Sequence, residues 1–337
     1  MCTSTSGWIE PLMQGFRGAS GLLFAVIGLQ FCPRGNAQET PVAGQAIRVN
    51  VARVNVGVVV TDEKGKFVEG LRRDAFHVFD NGAEQRITEF ASIEEPGQVL
   101  LLVEAGPAAY FLQSANLFAA DAMLKGLSAR DRVAVARYAD APLGIQDFTT
   151  DKVAAQAALS SIQFNLGFAD LNLSSSLSSV LDWLDRIPGK KTIVLISTGV
   201  DTSPASAAVA LQARLQVGDV RILCVSTSGP LRNGKRGSKV KIQQTQDEFA
   251  AADRRLQAIA DLTGGRAYFP MNGKAFQETY KEVAEIVRHE YSLAFALPAA
   301  DGAVHSIDVK VDRSGAAGKS SAAYRVDHRK GYQAPKE

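Results

Sequence analysis

The sequence predicts an α/β fold: a doubly wound, mostly parallel sheet flanked by helices, inserted in a small β-sandwich formed by the N- and C-terminal strands. Three observations carry this. Over residues 96–290, continuous apolar runs alternate with segments of helical spacing, which is the pattern of strands buried on both faces and crossover helices. Both ends of the chain instead alternate apolar with polar residues, as half-buried strands do. The 337 residues suffice for one large core and a smaller one.

Residues 1–37 read as a signal peptide. Arg17 precedes the apolar run Gly21 to Phe31, and Gly35 and Ala37 stand at positions minus three and minus one of a cleavage point before Gln38. That run is 11 residues long, short of the roughly 20 that span a bilayer. The expected destination is secreted or periplasmic, with no membrane span after signal cleavage, and an uncleaved anchor is the alternative. Phe31 is too bulky before Cys32 for a lipoprotein cleavage site. Cleavage removes Cys2 and Cys32 and leaves Cys224 alone, so no internal disulfide can form. Its apolar strand, Arg221 to Ser226, argues for a buried, inert thiol.

Residues 38–95 supply the N-terminal strands of the sandwich. Val49, Val51, Val54, Val56, Val58 and Val60 alternate with one slip near Arg53, and Asp62 to Gly65 forms a turn. Phe76, Val78 and Phe79, the turn Asp80-Asn81-Gly82, and the run Gln85 to Phe90 follow. So few strands require a covering layer.

Residues 96–290 form the α/β domain. Strand Val99 to Val103 leads to helix Ala108 to Leu127, then strand Arg132 to Tyr138, helices Lys152 to Ile162 and Leu173 to Ile187, and strand Thr192 to Ser197. Helix Ala205 to Val217, strand Arg221 to Ser226, helix Gln246 to Thr263, strand Arg266 to Phe269 and helix Ala275 to His289 complete it. Right-handed crossovers place such helices on both faces of a parallel sheet, and ligands bind at the carboxyl ends of its strands. Residues 291–337 return to β: Tyr291 to Ala296, Ser306 to Val311 and Ala322 to Val326 complete the sandwich.

Composition excludes several classes. With 46% apolar and 21% charged residues the chain is neither disordered nor collagenous, and a net charge of +2 gives no reason to expect nucleic acid. The basic segment Arg232, Lys235, Arg236, Lys239 and Lys241 has no interleaved aromatic residue and reads as a solvated loop. His77, His289, His305 and His328 show no zinc-ligand spacing. The serines 174, 175, 176, 178 and 179 lack a Gly-x-Ser-x-Gly elbow and open an amphipathic helix. In LTGGRAYF, Gly264 and Gly265 end a helix rather than cradle a nucleotide. The paired charges Asp131 and Arg132, and Asp182 and Asp185, read as structural. No enzyme, cofactor or small-molecule substrate is expected.

Six segments in order, VNVGVVVTDEKGKFVEGLRRDAFHVFDNGAEQRITEF, QVLLLVEAG, SARDRVAVARYAD, KKTIVLISTGVDTS, LQAIADLTGGRAYF and RKGYQAP, resemble von Willebrand factor type A domains. More closely, they resemble the VWFA-related secreted bacterial proteins of acidobacterial type; the first and last segments carry that narrower likeness. The resemblance implies a metal-ion-dependent adhesion site built from Asp-x-Ser-x-Ser, a Thr and a later Asp, since Mg2+ takes hard oxygen ligands. Aligned on Gly106, those positions hold Val103, Ala105 and Pro107; shifted by one, they hold Glu104, Gly106 and Ala108. The Thr position falls near Ala169 to Leu171, where Asp170 is the polar candidate, and the last Asp is Thr198, with Asp201 beyond it. The implied site is degenerate, and no metal is expected.

The resulting expectation is a non-enzymatic module that binds an unknown protein partner without a bridging metal. Its contacts are placed at Glu104, Ala105, Gly106 and Pro107, at Asp170 and Asn172, and at Thr198 and Asp201, within the loops 104–107, 167–172 and 198–202. Three alternatives stay open: metal-dependent adhesion through an irregular site improvised from Glu104, Asp170, Thr198 and Asp201, a Ser/His hydrolase, and a structural assembly unit of an envelope complex.

Overall fold

The computed structural model describes residues 53–93, 95–107, 113–164, 170–232, 246–312, 324–334 and 336. Residues 1–37, Val49, Val51, Ala108, Ala169 and the basic residues Lys235 to Lys241 lie outside them.

The valine alternation forms β1 (Arg53–Thr61), in which Val54, Val56, Val58 and Val60 turn inward. After a single 3-10 turn come β2 (Phe76–Asp80), β3 (Ala83–Gln85) and β4 (Ile87–Ala91). Asn81 and Gly82 hold positive φ of 47° and 82° between β2 and β3, the left-handed pair that a tight hairpin requires. At the other end of the chain lie β11 (Glu290–Ala296), β12 (Val304–Val311), β13 (Arg325–His328) and β14 (Gly331–Gln333). They join the first four strands in two antiparallel sheets, ordered β13-β1-β11-β4 and β14-β12-β2-β3. Thus β1 pairs directly with β11 across the whole inserted domain, and the two inner faces enclose one apolar core.

Within the insertion, β5 (Gly97–Glu104) is buried along its full length and leads to α1 (Gln113–Gly126). Next are β6 (Arg132–Tyr138), β7 (Pro142–Thr149), α2 (Lys152–Ser160), α3 (Leu173–Leu184) and β8 (Lys190–Ser197). Then follow α4 (Ala205–Val217), β9 (Val220–Ser226), the single turn α5 (Gly229–Arg232), α6 (Gln246–Leu262), β10 (Ala267–Tyr268) and α7 (Gly273–Arg288). The sheet order is β10-β9-β8-β5-β6-β7, parallel except for the antiparallel edge strand β7. Separate apolar cores lie on its two faces, as a doubly wound sheet demands.

Three differences from the sequence reading have physical causes. Strand β7 was not anticipated, because Pro142 and Gly144 break its pattern and its register slips twice against β6, features tolerated at a sheet edge. Helix α3 stops at Leu184 rather than Ile187, since Pro188 disfavours a helical residue before it. The three-residue β14 is too short for alternation to reveal. Cys224 is fully buried in β9, and burial pushes its thiol pKa up.

Candidate functional site

Strand β5 pairs with β6 on one side and β8 on the other, and the winding direction of the chain reverses between β5 and β8. At such a reversal the loops leaving two adjacent strands diverge and open a crevice. Three strand ends converge there: Glu104 of β5, Tyr138 of β6 and Ser197 of β8, with Thr198 beside it. All four are at most 1% exposed.

Glu104 is the centre of this group. Its Oε2 accepts hydrogen bonds from the Thr198 N–H at 2.8 Å, the Thr198 hydroxyl at 2.8 Å, the Ser197 hydroxyl at 3.0 Å and the Tyr138 hydroxyl at 3.3 Å. Oε1 lies 3.0 Å from the Thr198 hydroxyl. Outer bonds fix those donors in turn: Gly199 N–H donates to Ser197 Oγ at 2.8 Å, and Tyr138 Oη lies 2.7 Å from the same oxygen. No cationic side chain pairs with Glu104 among the described residues. Burial pushes its pKa up, and the hydrogen bonds from Thr198, Ser197 and Tyr138 offset that rise only in part.

The surrounding loops are stitched to one another. Asp201 accepts from the Ser174 N–H at 3.3 Å, the Ser174 hydroxyl at 2.5 Å and the Ser203 N–H at 3.0 Å, so it caps the start of α3 from the β8–α4 loop. Burial acts to raise the Asp201 pKa, but the bonds from Ser174 and Ser203 prevail and hold the carboxyl below its ordinary range. Asn172 donates to the Asp140 carbonyl and accepts from the Thr202 hydroxyl, while Thr202 N–H donates to the Leu171 carbonyl. Gly106 packs so closely that a Cβ there would lie 2.8 Å from Leu171 Cδ2.

The structure therefore separates the eight expected contact residues into two groups. Glu104, Ala105 and Thr198 are buried, and Gly106 is pressed against Leu171. These four form the floor beneath the crevice, with little or no exposed surface. Asp170 is exposed, and Pro107 and Asn172 are half-buried at the rim; the Asp201 side chain is only 4% exposed and is held by Ser174, Ser203 and Arg255. Tyr138 and Ser197 were missed. Their signal was present, since each closes a strand adjacent to β5, but neither falls on a family ligand position.

The residues present do not fit a divalent ion of the kind the resemblance implies. Val103, Ala105 and Pro107 offer no side-chain oxygen, and Oε2 of Glu104 is taken up by the Thr198 N–H and by the Thr198 and Ser197 hydroxyls, so one carboxylate stands where several hard oxygen ligands are needed. Among the described residues, no group of three or more His, Cys, Asp or Glu could hold a metal ion.

The fold is a doubly wound α/β domain carried on a β-sandwich. No family model matches the chain, and no curated protein matches it. Among solved structures, it is similar to a von Willebrand factor type A protein from Catenulispora acidiphila, at 10% identity, 86% of this chain, 76% of that one and a TM-score of 0.45. An aerotolerance-related membrane protein from Bacteroides fragilis shares 13% identity over 57% of this chain and 98% of its own, with a TM-score of 0.43. The vWF domain of the type V pili tip protein Mfa5 from Porphyromonas gingivalis shares 12% identity over 57% and 96%, with a TM-score of 0.39. Such values carry no functional argument, and the description of the fold rests on strand order and direction.

Proposed function

We propose that this chain is an exported, non-enzymatic protein-binding module that engages its partner through the rim of the strand-end crevice without a bridging cation. The observation that carries the reading is the Glu104 cage: a buried carboxyl at the centre of the crevice, ringed by the neutral donors of Thr198, Ser197 and Tyr138. In the VWFA-related reading, with its acidobacterial type, the adhesion site is degenerate and this cage occupies its place. Pro107, Asp170, Asn172 and Thr202 then make the contacts, and Glu104, Ala105, Gly106, Thr198 and Asp201 hold their loops in position. A pre-formed rim of this kind loses little entropy on binding. The same reading takes residues 1–37 as the export signal, with segments 38–95 and 291–337 flanking the binding domain at 96–290. No helix among the described residues is long and apolar enough to cross a membrane.

Two measurements test this. Calorimetric titration of the mature chain with Mg2+, Mn2+ and Ca2+ is expected to be silent at millimolar concentration. Affinity capture from envelope extract is expected to recover the same partner with and without EDTA, and to lose it on the rim double substitution Asp170→Ala with Asn172→Ala. Capture that EDTA abolishes overturns the metal-free mode.

A further inference from the structure

The opposite end of β8 opens on a second feature. Between the turn from Asp185 to Lys191 and the outer face of the β13-β1-β11-β4 sheet lies a cleft of about 520 Å³. Its origin is legible along β1. Val59 points outward and enters the α/β core, and Gly57 lies over the buried Arg221–Glu290 pair. Farther out, the middle of the sheet presents the small side chains of Asn55, Ala91, Ser292 and Ala294, with the Arg53–Glu89 pair at the margin, and these leave space between the two layers.

Lys190 lines this cleft and is 9% exposed. Its ammonium donates to the Ser92 carbonyl at 3.1 Å and the Glu290 carbonyl at 3.2 Å, which uses two of its three hydrogens. It forms no ion pair among the described residues. The nearby acids are engaged elsewhere: the Glu290 carboxylate binds Arg221 at 2.6 Å, and the Asp131 carboxylate accepts from the Gly97 and Ser128 amides. Glu95 stands exposed at the cleft margin. Lys191 provides the contrast, for its ammonium meets Asp219 at 2.7 Å. A lysine buried without a counter-ion is rare, because its desolvation is not repaid by attraction. Burial lowers the Lys190 pKa despite Glu290, Asp131 and Glu95.

The remaining charges in the cleft fix the sign of what it takes. Arg53 pairs with Glu89, and Asp185 pairs with Arg214 outside the cleft. Arg186 lines the cleft, is exposed, and makes no ion pair among the described residues. Lys190 and Arg186 against Glu95 leave a surplus of one positive charge, which matches a monoanion better than a phosphate dianion. Ile187 and Pro188, with Ala91 and Ala294 opposite, supply apolar wall, while the Phe90 ring turns to the sandwich core; the volume lies within the range of ligand pockets.

We propose that this cleft binds a carboxylate carried on an apolar body, with Lys190 and Arg186 receiving the carboxylate and Ile187, Pro188 and the facing Ala91 and Ala294 covering the apolar part. The carboxylate comes either from a free aliphatic acid or from the C-terminus of a polypeptide ending in an apolar residue. The site is independent of the crevice, since Lys190 begins β8 and Ser197 ends it.

Calorimetric titration of the mature protein with hexanoate and with an acetylated tripeptide ending in leucine tests the proposal, with hexanamide and the peptide amide as uncharged controls. Saturable binding to at least one acid is expected, weakened about tenfold or more in its amide and in Lys190→Met, and about fivefold in Arg186→Gln. Binding of hexanoate alone assigns a free acid; binding of the peptide acid assigns a chain terminus. Absence of saturable binding below about 10 mM, equal affinity for acid and amide, or undiminished binding in the variants overturns it. Near-ultraviolet circular dichroism establishes that Lys190→Met is folded; if it is not, the exposed Arg186→Gln variant decides.

Discussion

Glu104 shows how one side chain can settle the character of a site. A carboxylate taken out of water is costly unless it is hydrogen-bonded or paired, and this one has hydrogen bonds but no cation. Its pKa therefore stands above the value near 4.3 of an unfolded chain. A carboxyl whose folded pKa is raised binds its proton first in the folded state, so stability rises as pH falls through the folded pKa toward the unfolded one. Urea unfolding followed as the pH is lowered from neutral toward the ordinary carboxylate range is expected to show such a gain, and Glu104→Gln is expected to flatten this contribution. At neutral pH the Gln variant, which keeps an acceptor, is expected to fall within about 1 kcal/mol of the parent, whereas Glu104→Ala costs about 3 kcal/mol by leaving buried donors unmet. A carboxylate more stable charged than neutral would reverse the pH trend and refute the assignment.

At the scale of elements, α4 is held at its carboxyl end by a residue from the far end of the chain. Arg329 is 4% exposed and donates to the carbonyls of Gln216 and Gly218, with Leu215 at 3.5 Å. These are among the last carbonyls of a helix, which lack partners of their own and carry the negative end of its dipole. Burial lowers the Arg329 pKa to about 10, yet it stays charged at neutral pH. Arg329→Met is expected to cost about 2–4 kcal/mol, and Arg325→Met, exposed at the surface, less than about 0.5 kcal/mol; the shift in urea midpoint measures both. Equal effects would remove the capping role. The RKGYQAP tail carried this device in the sequence only as a family likeness, because no periodicity points from Arg329 to a helix more than a hundred residues away. Long elements were legible for the converse reason: the runs Val99 to Val103 and Thr192 to Ser197 declare buried strands by composition alone. The crevice was legible in place but not in content. Strand-end reasoning locates Glu104 and Thr198, but only packing reveals that the same oxygens face Tyr138 and Ser197 rather than solvent.

For the whole molecule, the question is whether the sandwich and the inserted domain are separable. Their junction combines apolar contacts, with Val59 and Phe67 packed on the α/β core, and polar contacts of which several are buried. Arg221 of β9 meets Glu290 of β11 at 2.6 Å, with both side chains under 10% exposed. Lys190 reaches the Ser92 and Glu290 carbonyls, Arg266 pairs with Asp327, and Asn55 approaches the Asp219 that binds Lys191. Gly57 permits the Arg221–Glu290 contact, since a Cβ there would lie 1.9 Å from Glu290 Oε1. Parting the two layers would strand these charges in partly dehydrated surroundings, at about 3–5 kcal/mol for a single broken buried pair. Neither layer then has an unfolding step of lower free energy than the whole. Calorimetry of the mature chain is expected to give one transition with equal calorimetric and van't Hoff enthalpies. Glu290→Gln, which leaves Arg221 buried without its anion, is expected to lower that single transition. Two resolved transitions in the parent would show that the layers fold independently. The coupling also bears on both sites, because β8 runs from the cleft at Lys190 to the crevice at Ser197, so a ligand at one end that stiffens this strand is expected to leave the other end's geometry in place rather than release it.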